Sequence, residues 1–261
     1  MELRIEHLGF SYRKDRILRD ISFYARGGEV TAIIGANAVG KSTLLKCISG
    51  ILRAQGEILL DGQSVKGMSS TELTRRIGYL TQENPTQALL SVFEVVLLGR
   101  MASLPLKIPT EELEKVWAVM REVKIDGIAA RGFHQLSGGQ RRVVSIVQAI
   151  VREPEALLLD EPIANLDIQH QLEVLDLVRD YTRKKKTATV VTLHELNMAA
   201  RYADRVVVLK DGMVYKQVIP KDVFTAEMVR QTYQVEAEIT ADRSGIPVVN
   251  PLFSVRTREK M

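Results

Sequence analysis

Gly35-Ala36-Asn37-Ala38-Val39-Gly40-Lys41-Ser42-Thr43 is the stretch whose residue types and spacing most clearly specify chemistry. It fits the pattern G-x-x-x-x-G-K-[ST]. Val30–34 is a short apolar run leading into it. From Lys41 to Ile51, Leu44, Leu45, Ile48 and Ile51 recur at helical spacing, so a strand enters the loop and a helix leaves it. Gly35 and Gly40 permit backbone angles that other residues resist. Successive N–H groups can then wrap phosphate oxygens at the positive end of the helix. Lys41 would reach the β- and γ-phosphates, and the Ser42 hydroxyl would complete the shell of a Mg²⁺ ion. Alone, the loop points to a nucleoside triphosphate and no further.

A second group lies at Asp160-Glu161-Pro162, directly after the apolar run Ala156-Leu157-Leu158-Leu159. Ligands of open α/β sheets sit beyond the carboxyl ends of the parallel strands, where these acids would emerge. Asp160 suits Mg²⁺, and Glu161 could take a proton from an attacking water. An isolated Asp-Glu-Pro would be a solvated loop; its pairing with the phosphate loop gives it meaning.

The elements that must hold these groups follow from patterning. Residues 3–34 read as β-rich, broken at Arg26-Gly27-Gly28, with further short strands at 56–60 and 77–80. Between 83 and 135, Leu113, Val116, Trp117, Met120 and Val123 follow helical spacing after Pro105 and Pro109, predicting a mostly helical insertion. Helix, strand, helix, strand then alternate over 138–152, 156–160, 168–185 and 188–193, which argues for a parallel sheet covered by helices. Asp211-Gly212 predicts a closing hairpin, and residues 240–261 a loosely ordered tail with a basic end.

The chain of 261 residues is 46% hydrophobic and 26% charged with a net charge of +4, an ordinary globular balance that demands no nucleic acid. Cys47 is the only cysteine, which excludes an intrachain disulfide framework and fits a reducing compartment. The start Met1-Glu2-Leu3-Arg4 shows no signal-peptide core, and no apolar run approaches a membrane span.

Leu136-Ser137-Gly138-Gly139-Gln140 opens the helix upstream of the acidic strand end. With the phosphate loop and Asp160-Glu161 in this order, residues 2–235 resemble the ATP-binding-cassette (ABC) transporter ATPase family. That resemblance implies an α/β fold: a P-loop NTPase core with a mostly parallel sheet, an N-terminal antiparallel β subdomain and an inserted helical subdomain. It implies ATP and Mg²⁺ as cofactors, the latter held by Ser42, Gln82 and Asp160. It also implies that Ser137, Gly138, Gly139 and Gln140 meet the nucleotide of a second subunit, so that two chains related by a two-fold make two complete sites. Position by position, Tyr12 matches the aromatic that stacks on adenine, with a strand-packing tyrosine as the alternative. Gln82 matches the glutamine that touches Mg²⁺ and senses the membrane partner. Asp167 in Asn165-Leu166-Asp167 matches the aspartate facing the opposing subunit, and His194 matches the histidine at the γ-phosphate, beside Glu161 as catalytic base. His7, His134 and His170 match nothing. Ala36, Ala38 and Val39 depart from the family's habits in the loop's variable positions, Ala38 and Val39 lacking glycine's freedom.

Residues 91–100, 195–204 and 235–249 are similar to segments of importers for iron–siderophores, haem and cobalamin. By that resemblance residues 1–235 form the ATPase domain, with the helical insertion at 83–152 and a tail at 236–261. The implied partners are a second copy, an integral membrane permease and an extracytoplasmic substrate-binding protein, with no nucleic acid, at the cytoplasmic face of the cell membrane. Two alternatives stay open: a soluble cassette ATPase acting on nucleic acid or ribosomes, for which Arg183-Lys184-Lys185-Lys186 would be the feature to cite, and an exporter subunit.

Overall fold

The computed structural model describes residues 1–81, 89–100 and 108–255. Gln82, Pro105 and the basic end beyond 255 therefore lie outside the described residues.

The chain opens with β1 (Glu2–Tyr12) and β2 (Asp15–Arg26), an antiparallel hairpin closed at the Tyr12–Asp15 pair. β3 (Val30–Ile34) leads through the phosphate loop into α1 (Lys41–Ile48). β4 (Gln55–Leu60) and β5 (Gln63–Ser64) then complete an antiparallel sheet in the order β2-β1-β4-β5. α2 (Ser70–Arg76) feeds β6 (Ile77–Leu80). A helical stretch follows: α3 (Val92–Arg100), α4 (Thr110–Glu122), two short 3-10 turns and α5 (Gly138–Ile150). β7 (Ala156–Leu159), α6 (Ile168–Lys185), β8 (Ala188–Thr192), α7 (Leu196–Tyr202) and β9 (Arg205–Lys210) alternate as expected. β10 (Met213–Val218), α8 (Pro220–Val223), α9 (Ala226–Tyr233), β11 (Val235–Ala241) and β12 (Pro247–Ser254) end the described chain.

The larger sheet runs β10-β9-β3-β8-β7-β6, parallel except for β10 at its edge. Successive strand residues point to opposite faces. Here both faces are covered, which is why these strands read as unbroken apolar runs. Ala32, Ile34, Leu157, Leu159, Val206 and Val208 pack on one face with Ile146 and Ile150 of α5, Val174 and Val178 of α6, and Met228 and Val229 of α9. Ile33, Leu158, Val190, Val207 and Leu209 face the other way, onto Leu44, Leu45 and Ile48 of α1 and the inner face of the antiparallel sheet. A third cluster joins Val92, Val95 and Val96, Val116 and Met120, and Val144 and Val147. α5 thus gives one stripe to the helical cluster and another to the sheet, tying the two together.

Three expectations change. α1 stops at Ile48 and Ile51 is exposed, because Gly50 turns the chain at φ 78° while its N–H bonds back to Cys47. In α4, Trp117 lies at the rim of the apolar stripe, tilted against Phe93 with ring centroids 4.9 Å apart, while Val116 and Met120 fill the interior. The C-terminal segment is not loose: β11 and β12 form an antiparallel hairpin. Asn197 on α7 anchors it, its side-chain amide donating to the Val249 carbonyl (3.3 Å) and its side-chain oxygen accepting from the Val249 N–H (2.8 Å). α2 was not foreseen, since it buries no residue fully and so shows no apolar stripe.

Candidate active site

Gly40 stands at the N-cap of α1 in the left-handed region (φ 108°), and no side chain caps the helix. The first N–H groups of α1 are therefore left to an external acceptor. Gly35, at φ 153°, has no room for a side chain: a Cβ there would lie 2.4 Å from the Leu209 carbonyl oxygen. Ala38 adopts φ 61°, the conformation for which glycine is suited, at a cost of about 1 kcal/mol. The loop curls around Lys41, whose ammonium donates to the carbonyls of Gly35 (2.8 Å) and Ala36 (3.1 Å). Burial pushes the Lys41 pKa down, against the pull of Glu161 and Asp160. An ammonium held on two carbonyls in a desolvated cradle is matched to a polyanion.

The acidic strand end faces this cradle. Asp160 is buried, and its Oδ1 accepts from the Ser42 hydroxyl (3.1 Å) and the Thr192 hydroxyl (2.8 Å). The Thr192 oxygen in turn accepts from the Glu161 N–H (2.8 Å), so one hydroxyl at the end of β8 ties both acids together. Glu161 takes a left-handed backbone (φ 47°), and its Oε1 pairs with Nε2 of His194. Ile17, Asn37, Ala38, Gly40, Lys41, Ser42, Thr43, Glu161 and His194 line a cleft of about 660 Å³. Hard oxygen donors at Ser42 and Asp160, beside uncapped N–H groups, fit a Mg²⁺-bound triphosphate.

The other predicted residues lie elsewhere. Tyr12, at the end of β1, is exposed and meets Phe10 edge to face at 4.8 Å; it does not line the cleft. Ser137 N-caps α5 in a reciprocal capping box: its hydroxyl accepts from the Gln140 N–H and its own N–H donates to Gln140 Oε1, each at 3.2 Å. Gly138 is open, whereas a Cβ on Gly139 would strike the His170 ring at 2.0 Å. None of residues 137–140 lines the cleft. Asp167 N-caps α6 and accepts from the His170 N–H (2.9 Å) and ring Nδ1 (2.8 Å), bonds that lower its pKa.

Sequence reasoning missed Thr192, Arg142 and Ile17. Thr192, a polar residue closing the buried strand Ala188–Thr192, carried a readable signal; Arg142 and Ile17 did not. Arg183, Lys184 and Lys185 do not form an open basic patch, being paired with Asp204 (3.8 Å), Glu122 (2.6 Å) and Glu153 (2.6 Å). Among the described residues no helix is long and apolar enough to cross a membrane.

A parallel sheet whose first crossover begins with this loop, with acids at the end of β7 one strand removed across β8, defines a P-loop nucleoside triphosphatase. Residues 18–164 match the ABC transporter family model. An ABC transporter ATP-binding protein of Methanocaldococcus jannaschii is 38% identical over 253 residues, 97% of this chain and 98% of the relative. The ferric enterobactin transport ATP-binding protein FepC of Escherichia coli is 37% identical, over 96% of this chain and 94% of the relative. The inward-facing structure of a putative metal-chelate type ABC transporter superposes with a TM-score of 0.82 at 27% identity, covering 96% and 97% of the two chains. The chain belongs to the ABC transporter family, as an ATP-binding, ATP-hydrolysing subunit.

Proposed function

We propose that this chain couples ATP hydrolysis to import of a metal chelate of the iron–siderophore, haem or cobalamin type, through a separate integral membrane permease. The cargo class rests on relatives named for transport of ferric enterobactin and for import of iron(3+)-hydroxamate and hemin. In this reading residues 1–235 are the ATPase domain, with its helical insertion at 83–152, and 236–261 are a tail. The subunit docks at the cytoplasmic face of the membrane, in a complex that includes an extracytoplasmic binding protein.

One observation carries the chemistry: Lys41, Ser42, Asp160, Glu161 and His194 converge, while the signature at 137–140 lies outside their cleft. Lys41 and the N–H groups opening α1 hold the β- and γ-phosphates. Glu161 accepts the proton of the attacking water; His194, bonded to Glu161, orients the carboxylate and reaches the γ-phosphate. Ser42 and Asp160, with Gln82, would hold Mg²⁺, which supplies charge neutralisation on the phosphate oxygens. A second copy offers Ser137, Gly138, Gly139, Gln140 and Asp167 to close the site, so ATP draws two chains together. Tyr12 stacks on the base.

Glu161→Gln tests this. Turnover is expected to fall by roughly 10²–10⁴-fold, while ATP and Mg²⁺ still drive a dimer visible by size-exclusion chromatography. Normal hydrolysis by that variant overturns the base assignment; a persistent monomer, alone and beside the permease, overturns the shared site. Identifying the co-purifying permease, and the chelate that stimulates the complex, tests the import reading.

A further inference from the structure

α5 begins at the signature and, one turn further on, carries Arg142, which neither the loop nor the acids account for. Its guanidinium makes four bonds, all to main-chain carbonyls, on segments far apart in sequence. Nε donates to Pro162 (2.7 Å), Nη1 to Thr81 (3.3 Å), and Nη2 to Asp160 (3.0 Å) and to Glu161. These carbonyls belong to the residue after β6 and to the turn after β7. The neighbouring Arg141 points elsewhere, to the carbonyls of Leu136 (3.0 Å) and His134 (3.1 Å) at the approach to the signature.

The bonds matter because of what Glu161 is doing. At φ 47° its backbone sits where residues with a Cβ rarely stay unless their surroundings hold them. Its N–H is taken by the Thr192 hydroxyl, and its carbonyl by Arg142 and by the Ala164 N–H (3.2 Å). A residue held through the peptide groups on both sides of its Cα has little freedom in where its side chain points. Burial disfavours the charged guanidinium, opposed by nearby Asp160 and Glu161. A flat fork of five donors can satisfy several carbonyls at once; an ammonium, a point charge on a flexible stem, cannot reproduce that fan.

We propose that Arg142 is a positioning residue for Glu161: it ties the signature helix to the backbone that aims the acid, so engagement of the signature by one nucleotide is transmitted to the acid serving the other. This rests on the reading of Glu161 as the base. Because α5 packs into both the helical cluster and the sheet, a shift of its N-terminus carries Arg142 with it. The carbonyls of Asp160, Glu161 and Pro162 then follow.

The test uses the full chain with Arg142→Lys and Arg142→Ala, measuring kcat, ATP dissociation constant, ATP-driven dimerisation and thermal unfolding. Arg142→Lys keeps charge and stem, so it carries the test should the alanine variant fold poorly. The expected result is a roughly tenfold or greater fall in kcat with ATP affinity within about twofold of the parent, since misplacement of a reacting group by ~1 Å costs up to ~10²-fold. Free guanidinium at millimolar concentration should restore part of the turnover of Arg142→Ala, and ethylammonium should not. A folded Arg142→Lys with kcat within about twofold of the parent overturns the proposal. So do parallel losses of kcat and ATP affinity, or equal rescue by ethylammonium. Normal turnover in Glu161→Gln removes the base reading and the proposal together; an inactive Glu161→Gln beside a normal Arg142→Lys removes the positioning role alone.

Discussion

Around the phosphate loop and the acidic strand end, side chains are held by loop carbonyls and by partners from distant segments of the chain, whereas in the signature at 137–140 Ser137 and Gln140 bond to one another. Lys41 rests on two loop carbonyls, Asp160 collects two hydroxyls, and Glu161 is gripped through Thr192, Arg142 and His194. Ser137 and Gln140 cap one another, and Gly138 faces open space. The first region is preorganised to hold charge in a partly desolvated cleft. The second is a helix N-terminus that lies outside the cleft lined by the described residues. Preorganisation suits the half that does the chemistry; openness suits the half that a second molecule must reach.

The comparison can be broken most sharply at Lys41. Lys41→Ala removes the cradle's ammonium and should lower ATP affinity by roughly 10- to 150-fold, in line with the ~1.5–3 kcal/mol of a charged hydrogen bond; equilibrium titration with a fluorescent ATP analogue checks it. Undiminished affinity would sink the phosphate-loop reading. Ser137→Ala acts on the other half. It should leave ATP binding to the single chain unchanged while weakening ATP-driven dimerisation and turnover, together with about 1 kcal/mol of lost helix capping in thermal unfolding. If affinity in the monomer fell as well, the two halves would not be separate.

Smaller effects sharpen the picture. Asn197→Ala should cost about 1–3 kcal/mol, because it leaves the Val249 N–H and carbonyl without their side-chain partner. Hydrogen exchange should then rise first over 235–254. Ala38→Gly should stabilise the loop by up to about 1 kcal/mol, since glycine adopts φ 61° without a Cβ clash. Denaturant unfolding reads that gain directly, and a loss would mean that the methyl group packs usefully.

The legible part of the fold was the part with short-range periodicity. β3, β7 and β8 are continuous apolar runs because both sheet faces are covered, and α6 spans the 168–185 expected from the helix–strand alternation. α2 has no buried residue to betray it, and the hairpin at 235–254 depends on a side chain some fifty positions away, a pairing no local pattern can encode. The loop, the acids and the signature were likewise readable, each being a local requirement of backbone geometry and charge.

Sequence alone determined the chemistry on offer: a glycine-bounded loop for phosphates, a lysine, a hydroxyl, two acids and a self-capping helix start. Tertiary structure decided which of these meet. It brought Ser42 to Asp160 across 118 positions, set Thr192 between the two acids and sent Arg142 rather than Arg141 into the acid loop. It kept the signature outside the cleft. The reason is physical: residue type and spacing fix what a segment can bond to, but distance through space is set only when strands align in the sheet and α5 locks between two cores.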